Sequence, residues 1–158
     1  MRRKSRDFSK LFGSGPSGLL ISFLLLVIAS GVDALINPPR LSHNPFLLEA
    51  IFSITSLATV ILIVWSSKSL PREDRGNKLC TTGAFKYVRH PLYAAYVSVF
   101  SIGLAIYLNS YVYILWALLL QPIWRYLVRA EERQMIDVFG EAYIAYQKTT
   151  GQFLPKLR

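Results

Sequence analysis

The stretch Tyr87-Val88-Arg89-His90-Pro91-Leu92-Tyr93 gathers the side chains of this sequence best suited to chemistry. Arginine offers a planar fork of donors to a carboxylate or phosphate. Histidine gives or takes a proton near neutral pH, and aromatic rings present a face to a cation. From His90 to Trp124 there is no Lys, Arg, Asp or Glu. Charge is expensive in lipid, and proline is best tolerated in the first turn of a helix, where its missing N–H is not needed. Arg89-His90-Pro91 therefore reads as a polar site at the mouth of a lipid-embedded helix. A second polar cluster follows the same apolar stretch. Arg125, Arg129 and Arg133 recur every four residues and fall on one helix face, with Glu131 and Glu132 beside them. Carboxylates in such company can bind an ammonium or accept a proton.

The elements that must position these groups are membrane spans. The chain has 158 residues, is 53% hydrophobic and has a mean hydropathy of +0.35, too apolar for an ordinary soluble domain. Leu11 to Val32, Ala50 to Ser67 and His90 to Trp124 lack charged residues, and a spanning helix needs ~20 apolar residues. The third stretch is long enough for two helices joined at Asn109-Ser110. The expected fold is an all-α integral membrane protein: one domain over 1–158, with spans at about 17–36, 46–66, 91–108 and 111–128 and a short C-terminal helical segment over 129–158. Small residues Ala94, Ala95, Ser98 and Ser101 permit close helix contact. Gln121-Pro122 is expected to kink the fourth span, and Asp33 to reach water at the outer end of the first. Phe139-Gly140 reads as a helix end, followed by a short helix over 141–148 in which Tyr143 and Tyr146 read as packing residues. A two-residue turn forces spans three and four into a hairpin, so the two polar clusters emerge side by side. Tyr87, Arg89, His90 and Tyr93 are expected on one wall of the resulting pocket, and Arg129, Glu131 and Glu132 on the other.

Charge placement orients this arrangement. Of 18 Lys and Arg residues, 17 lie in 1–10, 68–90 and 125–158, and only Arg40 lies elsewhere. With four spans, the positive-inside rule puts both termini in the cytoplasm. Topology and anionic headgroups then account for the net charge of +9, and no nucleic-acid partner is expected. The first span lacks a clear small-residue cleavage pattern and is expected to be retained. A single cysteine, Cys80, excludes an internal disulfide. His43 and His90 fall on opposite membrane faces, so no metal centre is expected.

The run from Leu79 to Tyr93 resembles the signature of the isoprenylcysteine carboxyl methyltransferase and phospholipid methyltransferase group. Glu131-Glu132-Arg133, Phe139-Gly140-Glu141-Ala142-Tyr143, Tyr146 and Phe153-Leu154-Pro155 resemble that group's C-terminal pattern. The likeness covers about 75–158. Phe85 stands where the group usually has tyrosine, and Ala95 where glycine is common. The resemblance implies an integral membrane methyltransferase using S-adenosylmethionine on a lipid-like or prenylated acceptor that arrives from the bilayer. By motif position it implies a cofactor site lined by Leu79, Cys80, Phe85, His90, Pro91, Leu92, Tyr93 and Glu131. Arg89, His90 and Glu132 are the catalytic candidates; Arg125 and Arg129 are the candidates for substrate contact. The chemistry is compatible: Glu131 suits the cofactor's ammonium, Arg89 or His90 its carboxylate, and Phe85 and Tyr93 its adenine or sulfonium. Two competing readings are a sterol-type membrane reductase using a nicotinamide cofactor, which shares an Arg-His-Pro-x-Tyr run, and a non-enzymatic membrane adaptor.

Overall fold

The computed structural model describes residues 14–71 and 77–156. The basic tail and most of the polar loop after the second span lie outside the described residues. Helix α1 (Gly15–Ile36) starts with Pro16 in its first turn and ends at Asn37, whose left-handed backbone (φ 45°) lets its N–H reach Asp33 O at 2.9 Å. Helix α2 (Pro45–Ser69) is capped by Asn44, whose side chain accepts from Leu47 N at 3.2 Å. A 3-10 turn, Gly83–Lys86, leads into α3 (Pro91–Tyr107), which contains a π-helical stretch at Ala95–Phe100. Helix α4 (Tyr111–Leu127) is capped by Ser110, followed by α5 (Arg129–Phe139) and α6 (Glu141–Thr149). Among the described residues every named element is helical.

The helices α1, α2 and α4 with its continuation are long and apolar enough to cross a bilayer. Helix α3 is shorter; at 1.5 Å per residue it covers about 25 Å, slightly less than a typical hydrocarbon core. The four form one bundle in which α1 packs on α4, α2 packs on α3, and α3 and α4 make the expected hairpin. Many large apolar side chains, among them Phe23, Ile28, Ile54, Leu57, Leu115 and Leu118, remain more than half exposed. That is the surface a lipid-facing helix presents.

The interior follows membrane packing rules. Ala94, Ala95 and Ser101 of α3 are buried. Gly103 lies against Thr55, so that an added Cβ would overlap the threonine hydroxyl and come 2.6 Å from its Cβ. That hydroxyl is tied to Ile51 O at 2.9 Å and Phe52 O at 3.0 Å. We expect Gly103→Val to cost about 1–3 kcal/mol by overpacking, read as a lower thermal midpoint in detergent. Gly31→Val, where a Cβ meets nothing within 4 Å, should be close to neutral. Helix α1 is attached to α4 by two indoles: Trp116 Nε1 donates to Ser22 O at 3.1 Å and Trp124 Nε1 to Ser22 Oγ at 2.9 Å.

One detail differs from the sequence reading. Asp33 does not reach water: it is 8% exposed and pairs with Arg40 at 3.1 Å. The outer loops close over this region, since Asn109 (φ 61°) exchanges hydrogen bonds with Ser42 through both atoms of its amide, at 2.9 and 2.8 Å. The fourth span stays helical through Pro122. Gln121, just before the proline, donates to Val97 O at 3.3 Å and Ser98 Oγ at 3.0 Å in the π-helical stretch. This contact ties α4 to α3 at the level of the proline.

Candidate functional site

The hairpin brings the two polar clusters together, and Glu132 is the hub. Arg89 Nε and Nη2 reach Glu132 Oε1 at 2.9 and 2.8 Å, and His90 Nε2 lies 3.2 Å from the same oxygen. Gln147 Nε2 donates to Glu132 Oε2 at 3.2 Å. The Arg89 and Glu132 side chains are only 10% and 13% exposed, so their charges are largely removed from water and hold each other by charge-assisted hydrogen bonds. The short contact to carboxylate calls for a proton on His90 Nε2, which leaves Nδ1 as the acceptor in the neutral ring.

Glu131 sits beside this network but is held differently. Its Oε1 accepts the Ser14 backbone N–H at 3.0 Å and the Tyr93 hydroxyl at 3.1 Å. Its Oε2 faces His90 Nδ1 at 3.9 Å, beyond hydrogen-bond range. The His90 ring stacks on Tyr93 (centroids 5.7 Å, 13° between planes) and meets the edge of Phe153 at 6.1 Å. Tyr93 in turn packs on Trp124 at 5.0 Å. Pro91 is buried at the first turn of α3 and fixes where this wall begins.

The C-terminal segment completes the site. Arg89 N donates to Gly151 O at 2.8 Å and His90 N to Gln152 O at 3.1 Å. Arg89 Nη1 adds bonds to the carbonyls of Thr150 and Gln147. The Tyr146 hydroxyl donates to Phe85 O. Burial first, and then the negative charge of Glu132, push the Tyr143 phenol well above its ordinary pKa. Burial likewise dominates at Tyr146. Both phenols remain protonated at neutral pH. A cleft of about 480 Å³ opens between Arg89, Arg125, Gln147, Phe153 and Lys156. Lysine in place of Arg89 cannot reproduce the planar fork that reaches Glu132 and the main-chain carbonyls together. Arg89→Lys should therefore loosen 147–153 by about 1 kcal/mol, seen as faster hydrogen exchange of those amides.

The remaining sequence candidates are placed as follows. Leu79 and Cys80 line a separate groove of about 180 Å³ with Ser69 and Leu70 at the end of α2; the Cys80 thiol donates to Ser69 O at 3.2 Å. Phe85 meets the site through its carbonyl. Leu92 is exposed. Arg125 lines the basic cleft. Arg129 is not brought into the wall: its guanidinium lies 5.6 Å over the exposed Tyr126 ring. Tyr87 is also outside, half exposed and 5.8 Å from Trp65. Sequence reading missed Ser14, Gln147 and the backbone of Thr150 to Gln152. Only the Phe153-Leu154-Pro155 pattern hinted that the chain returns here.

Fold and site together define a small helical integral membrane protein with a buried Arg-His-Glu network at one bundle mouth. Residues 45–142 match the family model for phospholipid methyltransferases, and the chain belongs to that family. It is 35% identical over 81 residues to a methanethiol S-methyltransferase from Pseudomonas deceptionensis, covering 47% of this chain and 27% of that protein. It is 27% identical over 85 residues to a protein-S-isoprenylcysteine O-methyltransferase from Schizosaccharomyces pombe, covering 53% of this chain and 36% of that protein. The matched stretch thus spans about a third of the length of these relatives. No solved structure matches the chain.

Proposed function

We propose that this protein transfers a methyl group from S-adenosylmethionine to a lipophilic acceptor at the cytoplasmic face of the membrane, with both termini on that side and 1–158 acting as one membrane domain. The observation that carries the reading is the juxtaposition of Arg89, His90 and Glu132 with Glu131, which has one carboxylate oxygen uncommitted among the described residues, at a bundle mouth flanked by lipid-facing apolar surface.

The residues present fit the cofactor. Glu131 Oε2 accepts no hydrogen bond among the described residues, and it suits an ammonium. Tyr93, His90 and Phe153 form an aromatic wall suited to a sulfonium or adenine. Arg125 and Lys156 border a cleft of a size suited to a small ligand and suit a carboxylate. Arg89 is already committed to Glu132 and to main-chain carbonyls, so its role is to hold the site together. Leu79, Cys80, Phe85, Pro91 and Leu92 stay with the cofactor assignment on motif position.

When bound, S-adenosylmethionine supplies an electrophilic methyl group for in-line displacement. The chain's contribution is alignment and exclusion of water. A carboxylate acceptor, such as that of a prenylated cysteine, needs no base, and this is the first reading of the acceptor. A second reading, a thiol, is favoured by His90: neutral Nδ1 can take the thiol proton while Glu132 stabilises the imidazolium through Nε2. Arg125 is the residue of choice for an anionic group on the acceptor or cofactor. Labelled S-adenosylmethionine incubated with the purified protein and a membrane lipid extract, followed by mass spectrometry, tests the reading. A labelled lipophilic product supports it, and the mass of that product separates the acceptors: a methyl ester marks a carboxylate, a methyl thioether a thiol. No labelled product from a folded preparation across lipid, prenylcysteine and thiol acceptors would sink it.

A further inference from the structure

The first turn of α1 is wired into the candidate site. Ser14 is 7% exposed. Its backbone N–H donates to Glu131 Oε1, and its hydroxyl donates to Leu127 O at 3.0 Å, at the end of α4 beside the break at Val128. Gly18, one turn on, lies so close to Trp124 that an added Cβ would come 2.7 Å from the indole. Helix α1 is thus seated against the wall formed by Tyr93 and Trp124, and its N-cap residue closes onto Glu131. The family match begins at residue 45, so this contact is supplied by a span outside it.

The two neighbouring glutamates differ in what their partners do to them. Glu132 is paired with a guanidinium, which offsets its charge. Glu131 is held by two neutral donors, both on Oε1. These fix the carboxylate without compensating its charge, and Oε2 is left for a cation. A glutamate side chain has rotamer freedom that it must otherwise give up on binding.

We propose that Ser14 is a positioning residue for cofactor recognition. Its backbone N–H, with the Tyr93 hydroxyl, locks Glu131 Oε1 so that Oε2 meets the ammonium of S-adenosylmethionine. This inference rests on the cofactor reading above. It makes α1 a component of the site, beyond its role as a membrane anchor.

The test compares two ligands by calorimetry in detergent. S-adenosylhomocysteine carries the ammonium; 5′-methylthioadenosine keeps the adenosine and sulfur but lacks the amino-acid end. Ser14→Pro removes the N–H, whereas Ser14→Ala keeps it. Ser14→Pro should weaken S-adenosylhomocysteine about ten-fold, as for one lost hydrogen bond to a charged group, and leave 5′-methylthioadenosine within about two-fold. Ser14→Ala should stay within about three-fold for both. In a Glu131→Gln background, Ser14→Pro should add no further loss. Should Ser14→Pro not fold, Gly18→Ala, which pushes the first turn off Trp124, should show the same selective weakening. Unchanged affinity for S-adenosylhomocysteine, or equal weakening of both ligands, overturns the proposal while leaving the cofactor reading intact. A folded wild-type protein that binds neither ligand overturns both.

Discussion

Glu132→Ala is expected to lower stability by about 3 kcal/mol, because it leaves the Arg89 guanidinium buried without its counter-charge. The same change is expected to reduce methyl transfer at least ~100-fold, since His90 loses the group that orients its ring. One carboxylate oxygen takes Arg89 Nε, Arg89 Nη2 and His90 Nε2, and the other takes Gln147. Removing it unties α5 from Arg89 and His90 at the start of α3 and from Gln147 of α6. Glu132→Gln keeps the shape but not the charge and should fall between. The double variant Arg89→Met/Glu132→Leu should recover much of the stability, because a buried pair can be replaced by apolar groups, but none of the activity. Thermal melts in detergent alongside methyl-transfer assays check both quantities. A Glu132→Ala protein with wild-type stability would show that the network is not what holds this end of the bundle.

Glu131→Ala should have the opposite balance. Its partners are a backbone N–H and a phenol, both neutral, so the stability loss should be small, about 1 kcal/mol. Its effect on cofactor affinity should be large, about 100-fold, as for a charge-assisted contact in a partly desolvated site. Glu141→Ala, in the exposed first turn of α6, should bind as the wild type does. Titration with S-adenosylhomocysteine distinguishes the two carboxylates. Equal effects at 131 and 141 would reject the assignment of Glu131 to the ammonium.

The motif resemblance set Glu131 with the cofactor and Glu132 with catalysis, but which of the two meets Arg89 was beyond the reach of the sequence. Glu131 and Glu132 are neighbours of one type, and either could have faced Arg89. Their roles separate in the folded bundle, where Glu132 faces Arg89 and His90, Glu131 faces Tyr93 and Ser14, and Arg129 lies outside over Tyr126.

Much else was legible, for reasons that are local or counted along the chain. Long uncharged stretches reveal spans because lipid excludes charge and leaves no solvent for exposed backbone groups. Pro16, Pro45 and Pro91 mark helix starts, and Asn109-Ser110 marks a turn too short for anything but a hairpin. That turn alone implies that residues near 90 and 132 meet. What the tertiary structure decided depends on contacts between elements far apart in sequence. The burial of Asp33 needed Arg40 and the closing outer loops, and the placement of Arg89 needed the carbonyls of a segment some 60 residues later. The seating of Ser14 on Glu131 spans 117 positions. Hydropathy records what each residue prefers as a solvent, and from it the sequence by itself determined the spans and their hairpin. Which polar partner a buried group receives is chosen by the packing of whole helices, and only the folded bundle shows it.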